Sequence, residues 1–539
     1  MLLITDKILK SVEEYKNNLQ KYKEGKIADF KSFSAFMGIY KEGPKDTFMV
    51  RPRIPGGVIT LEQLKLINEI AKKFAEEKIR LTTRQDIQLH SIKIDCLDKV
   101  VDDLIRAGLT TKGAGGDSVR NVACSPLSGV AQDEAFDVTP YMLEVCNYML
   151  LDPENLHLPR KYKISFSNSP QDTANASIAD IGFIAKMVNG KKGFEVYGAG
   201  GLGIGARVSL KLEDFIEDNV ALYYIQAMRN VFAKEGDRTN RQKARLRFVL
   251  QRLGEESFIR LFKDELDKLK EKGNLKLNIE QINEGVNTIT TEDNVIQDDK
   301  IYKNIIFSQK QPGLYSLYVH PQNGNMLTEE VDKVINFLEK LNYNATIRVT
   351  MTQGFYIRDL KQKDIIRLAD ITTQFTSIYN IDNSITCAGP TICNFGINNS
   401  QGMLNKIIET FEKESSDIKD ALPRIQISGC HNSCGHHQKG LIGVTGKRKR
   451  TEDGIVPVYA ISFNGRVGTE AAFGEVYGEI PAKKIPKFLL ELAILKVSSG
   501  YFEFIEFVEN KKLEIKDLVL KYSTIETIDT NPDLYSDFK

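Results

Sequence analysis

The sequence predicts an internally duplicated α+β protein, and three observations predict it: a repeated strand motif, two further echoes in the same order, and a shared lead-in to each copy. Residues 79–85 read Ile-Arg-Leu-Thr-Thr-Arg-Gln, and residues 347–353 read Ile-Arg-Val-Thr-Met-Thr-Gln. Asn-Val-Ala-Cys at 121–124 is answered by Ser-Ile-Thr-Cys at 384–387, and Leu-Pro-Arg at 158–160 by Leu-Pro-Arg at 422–424. Three echoes in one order are hard to attribute to chance. They divide the chain into two α+β half-domains that pair across a pseudo-twofold axis, each followed by a larger mixed α/β domain.

Residues 1–45 form an N-terminal extension. Their first apolar run is four residues long before charges begin, too short for a signal peptide, and no stretch of 18 apolar residues follows anywhere. A cytoplasmic protein is expected. In the first half-domain, 46–112, an extended segment from Thr47 to Ile54 leads through a glycine turn to a helix with Leu61, Leu64, Ile67, Ile70 and Ala71 on one face. A mixed domain spans 113–269. Residues 270–303 are polar and lack apolar periodicity, the mark of a surface linker. In the second half-domain, 304–376, the extended segment Leu314 to His320 precedes a helix with Val331, Val334, Ile335, Leu338 and Leu341 on one face. A second mixed domain spans 377–510, and 511–539 is a tail.

The chemistry of the second mixed domain lies in its cysteines. Of seven in the chain, four stand as pairs, Cys387-x5-Cys393 and Cys430-x3-Cys434. Four thiolates suit zinc or an iron–sulfur cluster. Structural zinc favours short C-x2-4-C knuckles, and the wider first gap, holding Gly389 and Pro390, favours the bulkier cluster. Zinc and unligated buried thiols stay open at this point. Cys96, Cys124 and Cys146 are scattered and read as small core residues. His431, His436 and His437 crowd the second pair, but four thiolates leave no vacancy that needs a histidine.

The first half carries cations where the second carries metal ligands. Its Leu-Pro-Arg stem runs into Lys161-Tyr-Lys163, with both ammonium groups on one side of an extended segment. Arg51 and Arg53, Arg80 and Arg84, and Arg120 lie on other strand-like segments with no acidic residue directly beside them. Solvated faces usually mix signs, so the set reads as a site for a polyanion, with arginine supplying forked contacts and lysine point charges. Arg238, Arg241 and Arg245 add charge at a helix-like spacing. Lys447-Arg-Lys-Arg450 reads as a solvated hairpin tip. Gly198-Ala-Gly200-Gly-Leu-Gly203 matches a dinucleotide fingerprint, but β-like residues follow it where a helix should begin; a bare loop lying against a large ligand fits better.

These residues resemble the sirohaem-containing sulfite and nitrite reductases, closest to the assimilatory-type sulfite reductase haemoproteins. The resemblance runs from about Ser32 to Glu506 and rests on the duplication and on the pattern C-x5-C…C-x3-C. It implies half-domains of ferredoxin-like fold and a [4Fe–4S] cluster on Cys387, Cys393, Cys430 and Cys434, with Cys434 also bridging to the sirohaem iron. It implies that Arg51, Arg120, Lys161 and Lys163 hold the substrate anion, that Arg53, Arg80, Arg84, Arg160, Arg238 and Arg241 face the carboxylates of the macrocycle, and that Asn432 tunes the cluster. The expected reaction is six-electron reduction of sulfite to sulfide, with ferredoxin-dependent reduction of nitrite to ammonia as the alternative. Lys163 favours sulfite, since a second lysine helps a partly dianionic substrate more than a monoanion.

No flavin or nicotinamide site is visible, so a ferredoxin or a flavoprotein is expected to supply electrons. His431 stands where the family has proline, Asn464-Gly465 where it has two glycines, and Gly115 where some relatives carry a cysteine crosslinked to tyrosine; no crosslink is expected. A net charge of +1 over 539 residues argues against nucleic acid as partner, and an electron carrier without sirohaem would leave the cations without a task.

Overall fold

The computed structural model describes residues 2–43, 46–279, 300–390, 392–393 and 395–538. Most of the expected linker, 280–299, lies outside them. In chain order the strands are β1 (Ile39–Glu42), β2 (Thr47–Val50), β3 (Val58–Ile59), β4 (Lys78–Leu81), β5 (Ile87–Lys93), β6 (Ala123–Cys124), β7 (Ile164–Ser167), β8 (Ile181–Val188), β9 (Lys191–Gly198) and β10 (Leu210–Glu217). Then follow β11 (Ile306–Ser308), β12 (Leu314–Val319), β13 (Asn325–Leu327), β14 (Thr346–Val349), β15 (Phe355–Lys361), β16 (Ile385–Thr386), β17 (Ile425–Ser428), β18 (Ile442–Thr451), β19 (Gly454–Phe463) and β20 (Glu475–Pro481). They make four five-stranded sheets. The chain falls into two compact units: one holds β1–β15, the other β16–β20 together with residues 202–206 and 320–324.

Within the first unit the two half-domains exchange strands. Their sheets run β1-β2-β5-β4-β13 and β11-β12-β15-β14-β3, so each borrows its last strand from the other. This reciprocal pairing makes the duplication a pseudo-twofold. The turn after each repeated motif closes alike, on Gln85 at φ 61° and Gln353 at φ 59°. Gln85 Nε2 then donates to Gly56 O, Cys124 O and Val349 O, joining the two halves. Gly57 can only be glycine, since a Cβ there would stand 2.0 Å from Val349 O.

The helices follow the periodicity read from the sequence. Leu61–Phe74 starts in a capping box in which Thr60 Oγ1 accepts from Gln63 N and Gln63 Oε1 accepts from Thr60 N, both at 3.1 Å. It buries Leu64, Ile67, Ile70 and Ala71; Thr328–Leu338 buries Val331, Val334, Ile335 and Leu338. The two helices pack together, with Asn68 and Lys72 both donating to Asp332. Each large apolar side chain so buried contributes about 1.5–3 kcal/mol.

The mixed domains repeat one another. In β6-β7-β8-β9-β10 the first three strands are parallel and the last two antiparallel, and β16-β17-β18-β19-β20 has the same order and sense. The first packs its core around Phe166, Phe183 and Phe194, covered by the helices Thr139–Leu151 and Ala221–Glu235. The second packs around Ile425, Ile427, Val444 and Ile461 beneath the helix Ile485–Ser499.

Two local expectations differ. Residues 511–539 include the helix Lys512–Tyr522, whose Ile515 and Val519 join the core of the second unit. Residues 236–245 form turns, because the Asp237 carboxylate captures the Thr239 and Asn240 N–H groups that a helix would need. Within the glycine-rich loop, Cβ atoms at Gly198 and Gly200 would strike Leu212 and Ser209. Lys447–Arg450 lies exposed on β18, leading to the hairpin turn as expected. Among the described residues no helix is long and apolar enough to cross a membrane.

Candidate functional site

In the first unit several cations are gathered by backbone carbonyls of residues 114–121 and of Ile164 at the start of β7. Ala114 O accepts from Arg51 Nη1 at 2.9 Å and from Arg120 Nη1 at 3.4 Å, so the two guanidinium groups share one acceptor. Arg120 Nη2 also donates to Gly116 O at 2.9 Å, while its buried Nε has no partner. Arg53 is fully buried and closes its fork on Val119 O and Arg120 O. Arg84 donates to Asn121 O and Ile164 O, which fixes it beside Lys163. Burial is the main reason that Arg84 falls to about 9 and Arg120 to about 10, with neighbouring cations adding to it. Lys163 is held well below its ordinary value, first by burial and then by Arg84, Lys161 and Arg245.

Other predicted residues sit differently. Arg160 and Arg241 meet on Asp117, whose oxygens accept at 2.9 and 2.7 Å. Arg80 is buried on β4, opposite Asn325 of β13. Arg238 is exposed and donates to His157 O, outside this hydrogen-bond pattern.

Sequence reasoning missed the carboxylates. Asp117 and Asp180 come from other segments and Asp86 stands two residues after Arg84; none lies directly beside a named cation. Asp180 is fully buried and paired with Arg245. Asp86 accepts from Ile54 N at 3.1 Å. Arg247, lowered to about 10 by burial and by Arg245, was also missed; a Cβ at Gly201 would lie 2.9 Å from its Nη1. The signal lay in Arg245-Leu-Arg247, an alternation like that of Lys161 and Lys163.

Gly115 is enclosed: a Cβ there would meet Tyr40 Oη at 2.5 Å and Ala35 O at 2.3 Å. Tyr40 Oη instead accepts from Gly116 N at 2.7 Å. With glycine at 115 there is no thiol to crosslink.

In the second unit the four cysteines lie on two loops. Cys387 follows β16, and its Sγ accepts from Gly429 N at 3.1 Å and contacts Ser400 Oγ at 3.1 Å. Cys430 follows β17; burial raises its thiol and the nearby Cys387 and Cys393 raise it further, while the Asn432 N–H and side chain favour the thiolate. Gly429 is constrained, since a Cβ would stand 2.2 Å from Asn398 O. Cys434 is exposed. Among the described residues no three or more metal-ligating side chains converge as they would around a single ion. The N–H groups of Gly429 and Asn432 at the sulfurs of Cys387 and Cys430 suit thiolates, the form in which cysteine binds a cluster.

The loop around Gly203 belongs to this unit. Gly203 N donates to Gln438 Oε1 at 2.8 Å, Gln438 Nε2 returns a bond to Gly203 O at 3.0 Å, and a Cβ at Gly203 would face Asn432 O. Asn464, at φ 61°, and Gly465, whose Cβ would strike Gln438 O, close the turn where two glycines were expected.

Comparison with known proteins agrees with this reading. The family model for the nitrite/sulfite reductase ferredoxin-like half domain matches residues 40–107 and 307–374, and the model for the nitrite and sulphite reductase 4Fe-4S domain matches 115–270. The chain belongs to the nitrite and sulfite reductase family, whose cofactors are sirohaem and a [4Fe–4S] cluster. It is 24% identical over 478 residues to the ferredoxin–nitrite reductase of Leptolyngbya laminosa, covering 85% of this chain and 88% of that one. It is 25% identical over 462 residues to the chloroplastic ferredoxin–nitrite reductase of Spinacia oleracea, covering 83% and 75%. The structure of the Mycobacterium tuberculosis NirA protein matches with a TM-score of 0.76 at 22% identity, over 94% of this chain and 97% of that one, a likeness of fold.

Proposed function

We propose that this enzyme reduces nitrite to ammonia, taking electrons from a ferredoxin. When bound, sirohaem with its cluster supplies the electron chemistry; Cys387, Cys393, Cys430 and Cys434 hold the cluster, and Asn432 adjusts it through the sulfur of Cys430. Arg84, Arg160 and Arg241, with Arg53, Arg80 and Arg238 around them, serve the carboxylates of the macrocycle. The orphaned Nε of Arg120 and the guanidinium of Arg51 are donors for a small oxyanion, and Lys161 and Lys163 bind it and pass protons to the departing oxygen.

The observation that carries nitrite over sulfite is the likeness, over most of both chains, to relatives named ferredoxin–nitrite reductase. Burial and the cations Arg84, Lys161 and Arg245 lower the proton affinity of Lys163, which suits a group that gives up a proton to either anion. Sulfite is the second reading, favoured by the presence of lysine at 163 at all, with a flavoprotein as alternative donor. Steady-state kinetics of the holoenzyme with both anions, driven by reduced ferredoxin, tests the proposal: a higher kcat/KM for nitrite is expected, and a higher value for sulfite overturns it.

A further inference from the structure

Lys163 is held from behind by a buried ion pair. Asp180, the residue before β8, is fully buried, and its Oδ2 accepts from Lys163 N at 2.8 Å and from Arg245 Nη2 at 2.9 Å; Oδ1 accepts from the same Nη2 at 3.1 Å. The next residue completes the hold, with Ile181 N donating to Lys163 O at 3.2 Å. Asp180 is itself fixed, since its carbonyl accepts from Ala199 N at 2.9 Å and the adjoining loop is packed against Ser209 at Gly200. Arg84, Lys161 and Arg245 oppose a charge on Lys163, and Asp180 favours it.

We propose that the Asp180–Arg245 pair is a positioning and charge-setting device for Lys163, in which the carboxylate fixes the lysine backbone and retains its proton while Arg245 limits how tightly that proton is held. The inference rests on reading Lys163 as a proton donor to the bound anion. In that step an N–H bond of Lys163 breaks and an O–H bond forms on the departing oxygen. The neutral amine left behind suits the surrounding cations, and water restores the proton. A lysine with cations alone around it would be found already neutral; one beside an unshielded carboxylate would release its proton too slowly.

The test compares Asp180→Asn with Arg245→Gln in the holoenzyme. Competitive labelling of lysine amines with acetic anhydride across pH, read by mass spectrometry at Lys163, gives the midpoint of its titration. Asp180→Asn keeps an acceptor for Lys163 N but removes the negative charge, and the midpoint should fall by about one pH unit. Arg245→Gln removes a cation and unshields the carboxylate, and the midpoint should rise by about the same. The alkaline limb of the kcat profile should move in the same two directions, and Arg245→Lys should restore the wild-type midpoint.

Loosening of the fold alone would move both variants one way. Shifts of one sign, or none in folded variants, overturn the proposal. If Asp180→Asn does not fold, Arg245→Gln is read beside Arg245→Lys: a rise in the first with the wild-type midpoint in the second supports the device, and a fall or no change in the first, or a rise in both, contradicts it. The labelling does not depend on which anion is turned over, so a preference for sulfite would leave this inference standing.

Discussion

The sheet of β6–β10 and the sheet of β16–β20 are two copies of one design with opposite chemistry at the ends of their first strands. Cys124 ends β6 and Cys387 follows β16. Around Cys124, Gln85 takes both the N–H and the C=O of the backbone, and burial pushes the thiol up to about 12. Around Cys387 the sulfur itself is addressed, by Gly429 N and Ser400 Oγ. A repeated scaffold therefore places a cysteine twice in different settings: at Cys124 burial outweighs the Thr139 side chain and keeps the thiol protonated, whereas at Cys387 a backbone N–H aimed at sulfur suits a thiolate.

The largest expected effect breaks that comparison directly. Cys387→Ser should lose most of the iron and acid-labile sulfide of the purified protein, and with them the activity. Cys124→Ser should keep both and lose about 1–2 kcal/mol of stability in denaturant titration. Equal loss of iron in the two variants would mean that Cys124 is no silent copy.

Next in size is the contrast between cations held inside and outside the site. Arg120→Ala removes a half-buried guanidinium that shares Ala114 O with Arg51, and kcat/KM should fall about 10²–10³-fold. Arg238→Ala removes an exposed side chain bonded to His157 O, and should change kcat/KM by less than about threefold. Steady-state kinetics on the two variants ranks them; equal losses would place Arg238 at the anion as well.

Much of this was legible in the sequence because duplication leaves its mark in order and spacing. The echo of Ile-Arg-x-Thr located both half-domain sheets, and C-x5-C…C-x3-C marked two cysteine pairs that fall after β16 and β17. The strand exchange was not legible, since β3 and β13 are only two and three residues long and pair with partners more than 200 positions away. The carboxylates behind the cations were hidden for a similar reason: Asp117 reaches Arg241 across 124 positions, and Asp180 reaches Arg245 across 65. Local reading finds charges; only packing shows what balances them.

Lys163→Asn separates the two substrate readings by a smaller margin. If the lysine serves a dianion, sulfite turnover should fall more than nitrite turnover, by about tenfold in the ratio of their kcat/KM values. Equal falls would assign Lys163 to proton delivery common to both, in keeping with the lowered proton affinity that burial and its neighbouring cations impose.

The smallest effect concerns a carboxylate that the cations fail to neutralise. Asp86 is near Arg51, Arg53 and Arg84 and accepts from Ile54 N, yet burial outweighs them all and raises it to about 6. The folded state therefore binds the Asp86 proton more tightly than the unfolded chain, where an aspartate titrates at about 3.9. Between those values rising pH removes a proton that the fold prefers to keep, so this group costs stability above about pH 6 and nothing below about pH 4. Asp86→Asn retains an oxygen for Ile54 N without the charge. It should be more stable than wild type at pH 7 by about 1–3 kcal/mol, with the difference vanishing toward pH 4, as measured by denaturant titration across that range. A loss of stability at pH 7 would show that the three arginines need this negative charge, and that the cation site of the first half is balanced rather than left positive for an anion to complete.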